Sequence, residues 1–275
     1  MTEPAAMIDP VASSPYTRPV QVGSATLGGG HPFVLIAGPA LARGGLRRGD
    51  LFSMANTLCA QTRELDVPWI FRIVAPSPED RAATAFEDML VVARDVHSRL
   101  RVPVAVEVHH PNDVAPAAEV ADLLQIPAAC CRDVELVTNA ARTGRPVNIE
   151  TDPSLTPADA VGLLEQVAGV GNWNVMLTAR GINGESSGID VRGLRDMRES
   201  GFPLVYDVGP DVARTDSKER AAGELAQHAL TAGVDGIALI VEDDGEDADP
   251  AVGTAGYSLA ALPRLLQRLK AVHRP

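Results

Sequence analysis

Residues 102–150 read VPVAVEVHHPNDVAPAAEVADLLQIPAACCRDVELVTNAARTGRPVNIE. Three short apolar runs stand out in this stretch, at 102–108, 123–127 and 147–150, and each stops in polar residues before the next segment begins. Runs so continuously apolar belong to strands buried on both faces, as parallel strands under a layer of helices are. The same pattern extends outward in both directions. "FVLIAG" (33–38) and "WIFRIV" (69–74) precede the stretch, and "NVMLTA" (174–179), "PLVYDV" (203–208) and "GIALIV" (236–241) follow it.

Between the runs lie segments with apolar residues at helical spacing, such as "DLFSMANTLCAQTREL", "AFEDMLVVARDVHSRL" and "ERAAGELAQHALTAG". The last ends in the glycine expected after a helix. Eight strand–helix units over about 240 residues predict an α/β fold, a (β/α)8 TIM barrel. "PVQVGSATLG" (19–28) predicts a β-hairpin ahead of the first barrel strand. A doubly wound sheet fits less well, because "FVLIAGPALARGG" lacks the glycine spacing of a dinucleotide loop and no acidic residue closes the next strand. The expected organisation is a flexible N-terminal tail, 1–18, and one barrel domain, 19–275.

The 275 residues are 45% hydrophobic but only 4% aromatic, so alanine, valine, leucine and glycine carry the core. The formal net charge of -12 and a pI near 4.9 argue against nucleic acid or an anionic membrane as partner, since both need a basic footprint. Cys59, Cys130 and Cys131 show no metal or redox spacing and read as buried thiols. No basic, apolar leader opens the chain and no apolar run reaches the length of about 20 residues that a membrane span needs. A cytoplasmic protein is expected.

In a barrel of this kind the chemistry sits at the C-terminal strand ends. Those positions hold Arg72, Glu107, His109, Gln125, Glu150, Arg180 and Asp207, with Arg132 shortly after the fourth barrel strand. The acidic run "EDDGEDAD" (242–249) lies at the same end but does not match a calcium loop and reads as solvated.

The phrases "FVLIAGP", "VPVAVEVHHPNDVAPAAEVADLLQIPAACCRDVEL", "AARTGRPVNI", "NVMLTARG", "MRESGFPLVYDV" and "TAGVDGIALIV" occur in this order over most of the chain. In them the chain resembles the 3-deoxy-octulosonate 8-phosphate synthases, relatives of the heptulosonate synthases of aromatic biosynthesis. The resemblance implies a tetrameric aldolase-type barrel that adds phosphoenolpyruvate to the aldehyde of arabinose 5-phosphate, in some members with a divalent metal. It also implies roles. Arg180 matches the arginine that grips the phosphate of phosphoenolpyruvate, Arg132 another arginine of that site, and Arg72 stands in for a lysine. Gln125 and His109 hold family positions.

Other family positions are lost. Where metal-dependent members carry cysteine, histidine, glutamate and aspartate, this chain has Ala40, Pro210, Ile240 and Val252, none of which ligates a metal through its side chain. The fifth strand of the family ends in lysines, one of them facing phosphoenolpyruvate. Here it ends in Glu150 and Thr151. The basic loop after the second strand is replaced by "APSPEDRAATAF", and the loop after the seventh is shortened to "DVARTDSKER".

Three functional readings follow. The first is a diverged family member without synthase activity, a pseudoenzyme acting as a binding or partner subunit. The second is a repurposed lyase or aldolase-type enzyme of specialised metabolism. In it Arg72, Gln125, Arg132 and Arg180 hold an anionic small molecule, and His109, Glu107, Glu150 or Asp207 moves protons. The third is an authentic phosphoenolpyruvate-dependent synthase. The alternative for Arg132 and Arg180 is that they pair with neighbouring acids such as Glu107 or Glu150. No cofactor and no metal are expected, and the partners expected are an anionic small molecule and either further copies of the chain, as a dimer or tetramer, or another protein.

Overall fold

A computed structural model of the chain describes residues 16–40, 48–74, 83–180, 189–212, 218–243 and 256–273. It opens with an antiparallel hairpin, β1 (Val20–Val22) and β2 (Ala25–Leu27). Eight strands then alternate with helices. They are β3 (Val34–Gly38), α1 (Arg48–Glu64), β4 (Trp69–Ile73), α2 (Ala83–Leu100), β5 (Val104–Glu107), α3 (Pro111–Ala118), β6 (Leu123–Ile126), α4 (Val134–Arg142), β7 (Val147–Glu150), α5 (Pro157–Gly169), β8 (Val175–Arg180), α6 (Val191–Arg198) and β9 (Leu204–Asp207). The one-turn α7 (Gly209–Val212) leads into α8 (Lys218–Ala232), β10 (Gly236–Glu242), the two-residue β11 (Tyr257–Ser258) and α9 (Leu262–Val272).

Strands β3 to β10 are parallel, each paired with its sequence neighbour, and β10 pairs with both β9 and β3. Gly236 meets Val34 on one side and Val205 on the other, so the sheet closes into the expected (β/α)8 barrel.

Side chains alternate along each strand, and the two faces have different partners. Outward residues such as Phe71, Ile73, Val104, Val106, Leu124, Ile126, Val147, Ile149, Leu177 and Tyr206 pack in one cluster with the helices. Inward residues Val34, Ile36, Ile70, Ala105, Leu123, Met176, Val205 and Ala238 form a second cluster with Val20, Val22, Ala25 and Leu27 of the hairpin. The hairpin thus plugs the N-terminal end of the barrel. Its two valines and leucine are fully buried, each contributing on the order of 1.5–3 kcal/mol.

The expected tail boundary falls at residue 18. Residues 1–15 lie outside the described residues, whereas the next few are fastened to the barrel base. The Thr17 hydroxyl donates to Asp235 at 2.9 Å and the Arg18 N–H to the Gly201 carbonyl at 2.7 Å. Residues 41–47, 75–82, 181–188, 213–217 and 244–255 also lie outside the described residues. They include most of "APSPEDRAATAF", half of "DVARTDSKER" and most of the acidic run.

Gly38 closes β3 where the backbone crosses β4. A Cβ there would sit 1.7 Å from the Arg72 carbonyl oxygen, so only glycine fits. Among the described residues no helix is long and apolar enough to cross a membrane.

Candidate functional site

Two residues further along from the inward apolar layer, the same face turns polar on most of the strands. Ile70 is followed by Arg72, Ala105 by Glu107, Leu123 by Gln125, Met176 by Thr178 and then Arg180, and Val205 by Asp207. On β7 the inward positions are Asn148 and Glu150. The period of two therefore delivers the strand-end residues of six strands into one layer at the C-terminal mouth.

Its centre is a buried lattice of charge. Arg72 donates from Nη1 to Glu150 Oε1 at 2.7 Å, and its Nη2 lies 3.7 Å from Asp207 Oδ2. Arg180 reaches the same two acids from β8 at longer range, 3.5 Å to Glu150 and 3.9 Å to Asp207. The side chain of Arg72 is 2% exposed and that of Arg180 34%, so one guanidinium is sealed in and the other faces the opening. Asp207 Oδ1 also accepts the Gly209 N–H at 3.0 Å, which fixes the carboxylate at the start of α7.

Burial pushes the Glu150 carboxyl up to about 7, with Asp207 and Glu107 adding to the rise and Arg72 and Arg180 opposing it. For Arg72, burial works against the charged form, but the attraction of Asp207, Glu150 and Glu107 outweighs it and its pKa is raised. Glu150 is thus a carboxyl able to change charge near neutrality beside a guanidinium that stays charged.

A second group flanks this lattice. His109 Nε2 lies 2.9 Å from Glu107 Oε1, though without the alignment of a hydrogen bond, and neither ring nitrogen is hydrogen-bonded. The His109 backbone is held by Asp113, whose Oδ2 accepts the N–H groups of both His109 and His110 at 3.2 Å. Below them runs an uncharged chain that the sequence reading missed. Asn148 Nδ2 donates to Gln125 Oε1 and to Thr178 Oγ1, each at 2.7 Å. Asn148 and Thr178 each lie two residues before a residue that was singled out, so strand parity was the available signal.

Of the eight site residues expected, seven come together in the mouth: Arg72, Glu107, His109, Gln125, Glu150, Arg180 and Asp207. Arg132 does not join the buried layer. It is exposed on the rim after the 3-10 turn Ala128–Cys130 and donates to Ser154 Oγ at 3.3 Å. Asp152, whose pKa is lowered chiefly by hydrogen bonds from Ser154, feels both Arg132 and Arg180. Cys59 and Cys131 are buried, and burial raises the thiol pKa of Cys130 and Cys131, in keeping with inert thiols.

The sequence profile of the DAHP synthetase I family matches residues 15–271. The chain belongs to this family. Among its curated relatives, each named 2-dehydro-3-deoxyphosphooctonate aldolase, that of Geotalea uraniireducens is 32% identical over 269 residues, covering 93% of this chain and 97% of the relative. Those of Trichlorobacter lovleyi and Geobacter metallireducens are each 33% identical, over 270 and 273 residues, covering 93% of this chain and 98% of the relative. The likeness to the 3-deoxy-octulosonate 8-phosphate synthases holds along nearly the whole barrel.

For a DAHP synthetase I family member the metal question is one of donors. Ala40, two residues past the end of β3, makes an isolated bridge to Val74, and Ile240 takes the inward position of β10 beyond Ala238. Val252 lies outside the described residues. Among the described residues no three His, Cys, Asp or Glu side chains gather as a metal site. Ala40 and Ile240 carry no side-chain donor for a divalent metal.

Proposed function

We propose that this family member is not a synthase and that it works as a binding or partner subunit, cytoplasmic and oligomeric. The observation that carries the reading is Glu150, whose carboxylate lies between Arg72 and Arg180. The guanidiniums that would hold an enol phosphate are paired with the protein's own acids. A phosphate arriving at Arg180 meets Glu150 and Asp207 within a few ångströms, where like charges repel by roughly 1–4 kcal/mol depending on the local dielectric. The missing lysine and metal donors act in the same direction.

The test is direct. Purified protein given phosphoenolpyruvate and arabinose 5-phosphate, with and without manganese or zinc, is expected to release no phosphate. Stoichiometric release that needs both substrates refutes the reading.

One contact favours a second reading, a repurposed lyase or aldolase-type enzyme. His109 and Glu107, 2.9 Å apart and buried, have the composition of a proton-transfer pair. Turnover of a phosphate-free substrate that is lost in His109→Gln would favour this reading over the first.

A further inference from the structure

The mouth has more donors than it uses. Arg72 Nε, Arg180 Nε and Gln125 Nε2, all obligate donors, are buried without a hydrogen bond, as are both ring nitrogens of His109, of which a neutral imidazole offers one as donor and one as acceptor. The buried side-chain oxygen left in that condition among the described residues is Gln61 Oε1 on α1, which is not part of this layer. Buried polar groups are normally satisfied. A ligand that meets Arg72, Arg180 and Gln125 therefore brings acceptors.

Charge narrows the choice. Two guanidiniums, Arg72 and Arg180, face three carboxylates, Glu107, Glu150 and Asp207, with His109 beside Glu107, Asp113 and Cys130 against the His109 backbone, and Asp152 and Arg132 towards the rim. A further anion adds a negative charge to the layer unless a proton enters with it, and Glu150, which faces both guanidiniums, is the carboxylate placed to take that proton. The layer also has a loose joint. Arg72 and Glu150 are in tight contact at 2.7 Å, whereas Arg180 touches its acids only at 3.5 and 3.9 Å and is one-third exposed.

Resting on the reading that Glu150 occupies the anion position, we propose that the mouth binds a small monocarboxylate. Its carboxylate takes the place of Glu150 at Arg180 while Glu150 takes one proton from solvent and stays, neutral, on Arg72. One O–H bond forms at Glu150 and none breaks in the ligand. A monoanion leaves the net charge of the layer unchanged, whereas a phosphate dianion leaves one uncompensated negative charge. The elevated pKa of Glu150, about 7, makes that proton available near neutral pH.

Acetate, ionised throughout the range used, is the probe, and its binding is followed by broadening of the methyl proton resonance between pH about 6 and 8.5. Wild-type affinity is expected to be level at the acid end and to weaken about tenfold per pH unit above about 7. In weakly buffered solution near pH 8, proton uptake per acetate bound should approach one. Glu150→Gln, permanently neutral, should bind acetate with the wild-type low-pH affinity at every pH, and sulfate should bind the wild type less tightly than acetate.

Absence of acetate binding, a wild-type affinity independent of pH, or sulfate preferred over acetate each overturns the proposal. So does a folded Glu150→Gln no tighter than wild type at pH 8.5. The wild-type profile and proton count stand even if that variant fails to fold. Phosphate release in the synthase assay would strike the non-synthase reading alone, and a flat acetate profile without synthase turnover would strike only this proposal.

Discussion

Arg72→Met removes the buried guanidinium of the mouth while keeping most of the side-chain volume. Arg72 is in hydrogen-bond contact with Glu150 and 3.7 Å from Asp207, and it also feels Glu107. Without it, Arg180 is left as the nearby cation, at 3.5 Å or more and one-third exposed. Removing one partner of a buried pair typically costs about 3–5 kcal/mol, because the remaining charge stays desolvated. For a chain of this size that corresponds to a fall in Tm of roughly 6–20 °C.

The loss should depend on pH, with a definite sign. Arg72 is among the groups that lower the Glu150 pKa, so without it the folded-state value rises further above that of the unfolded chain. Stability from a carboxyl raised in this way is present at low pH and is lost as pH climbs through the folded value. The deficit of Arg72→Met is therefore expected to be larger at pH 8 than at pH 6. Urea denaturation with an unchanged m-value measures it. Adding Glu150→Gln to Arg72→Met should recover part of the loss, since one stranded charge disappears. A deficit below about 1 kcal/mol that is equal at both pH values, or strictly additive variants, would refute the reasoning.

Glu150→Gln alone should change the pH dependence of stability. The wild type loses stability between pH about 4.5 and about 7 as the buried carboxyl ionises, while the glutamine variant lacks this term, so its urea midpoint should gain on the wild type from pH 5 to pH 8. The reverse trend would show that the arginines outweigh burial. Gly38→Ala drives a methyl into the Arg72 carbonyl and should destabilise the barrel by about 1–3 kcal/mol or more. An unchanged melting temperature would place the β3–β4 crossing differently.

Much of the barrel was legible because its signals are local. The eight apolar runs each overlap one observed barrel strand and end within a residue of it, and Gly233 takes the positive φ expected after α8. "PVQVGSATLG" forms its hairpin. These features follow from backbone preferences and the alternation of buried faces, which need only a few neighbouring residues. The candidate site was legible as a set of strand ends for the same reason.

Which strand-end residues pair was decided elsewhere. Arg72 and Glu150 are 78 residues apart, and nothing local in "WIFRIV" or "PVNIETDPS" says that they touch. Their contact needs the inward parity of β4 and β7 and a closed circle that brings non-adjacent strands across the mouth. The same closure separates Arg180, carried into the layer by the end of β8, from Arg132, which a 3-10 turn after β6 leaves on the rim. Residue types and their facing are encoded strand by strand. Their distances and exposure, and with them the raised pKa of Glu150, exist only once the barrel closes and excludes water.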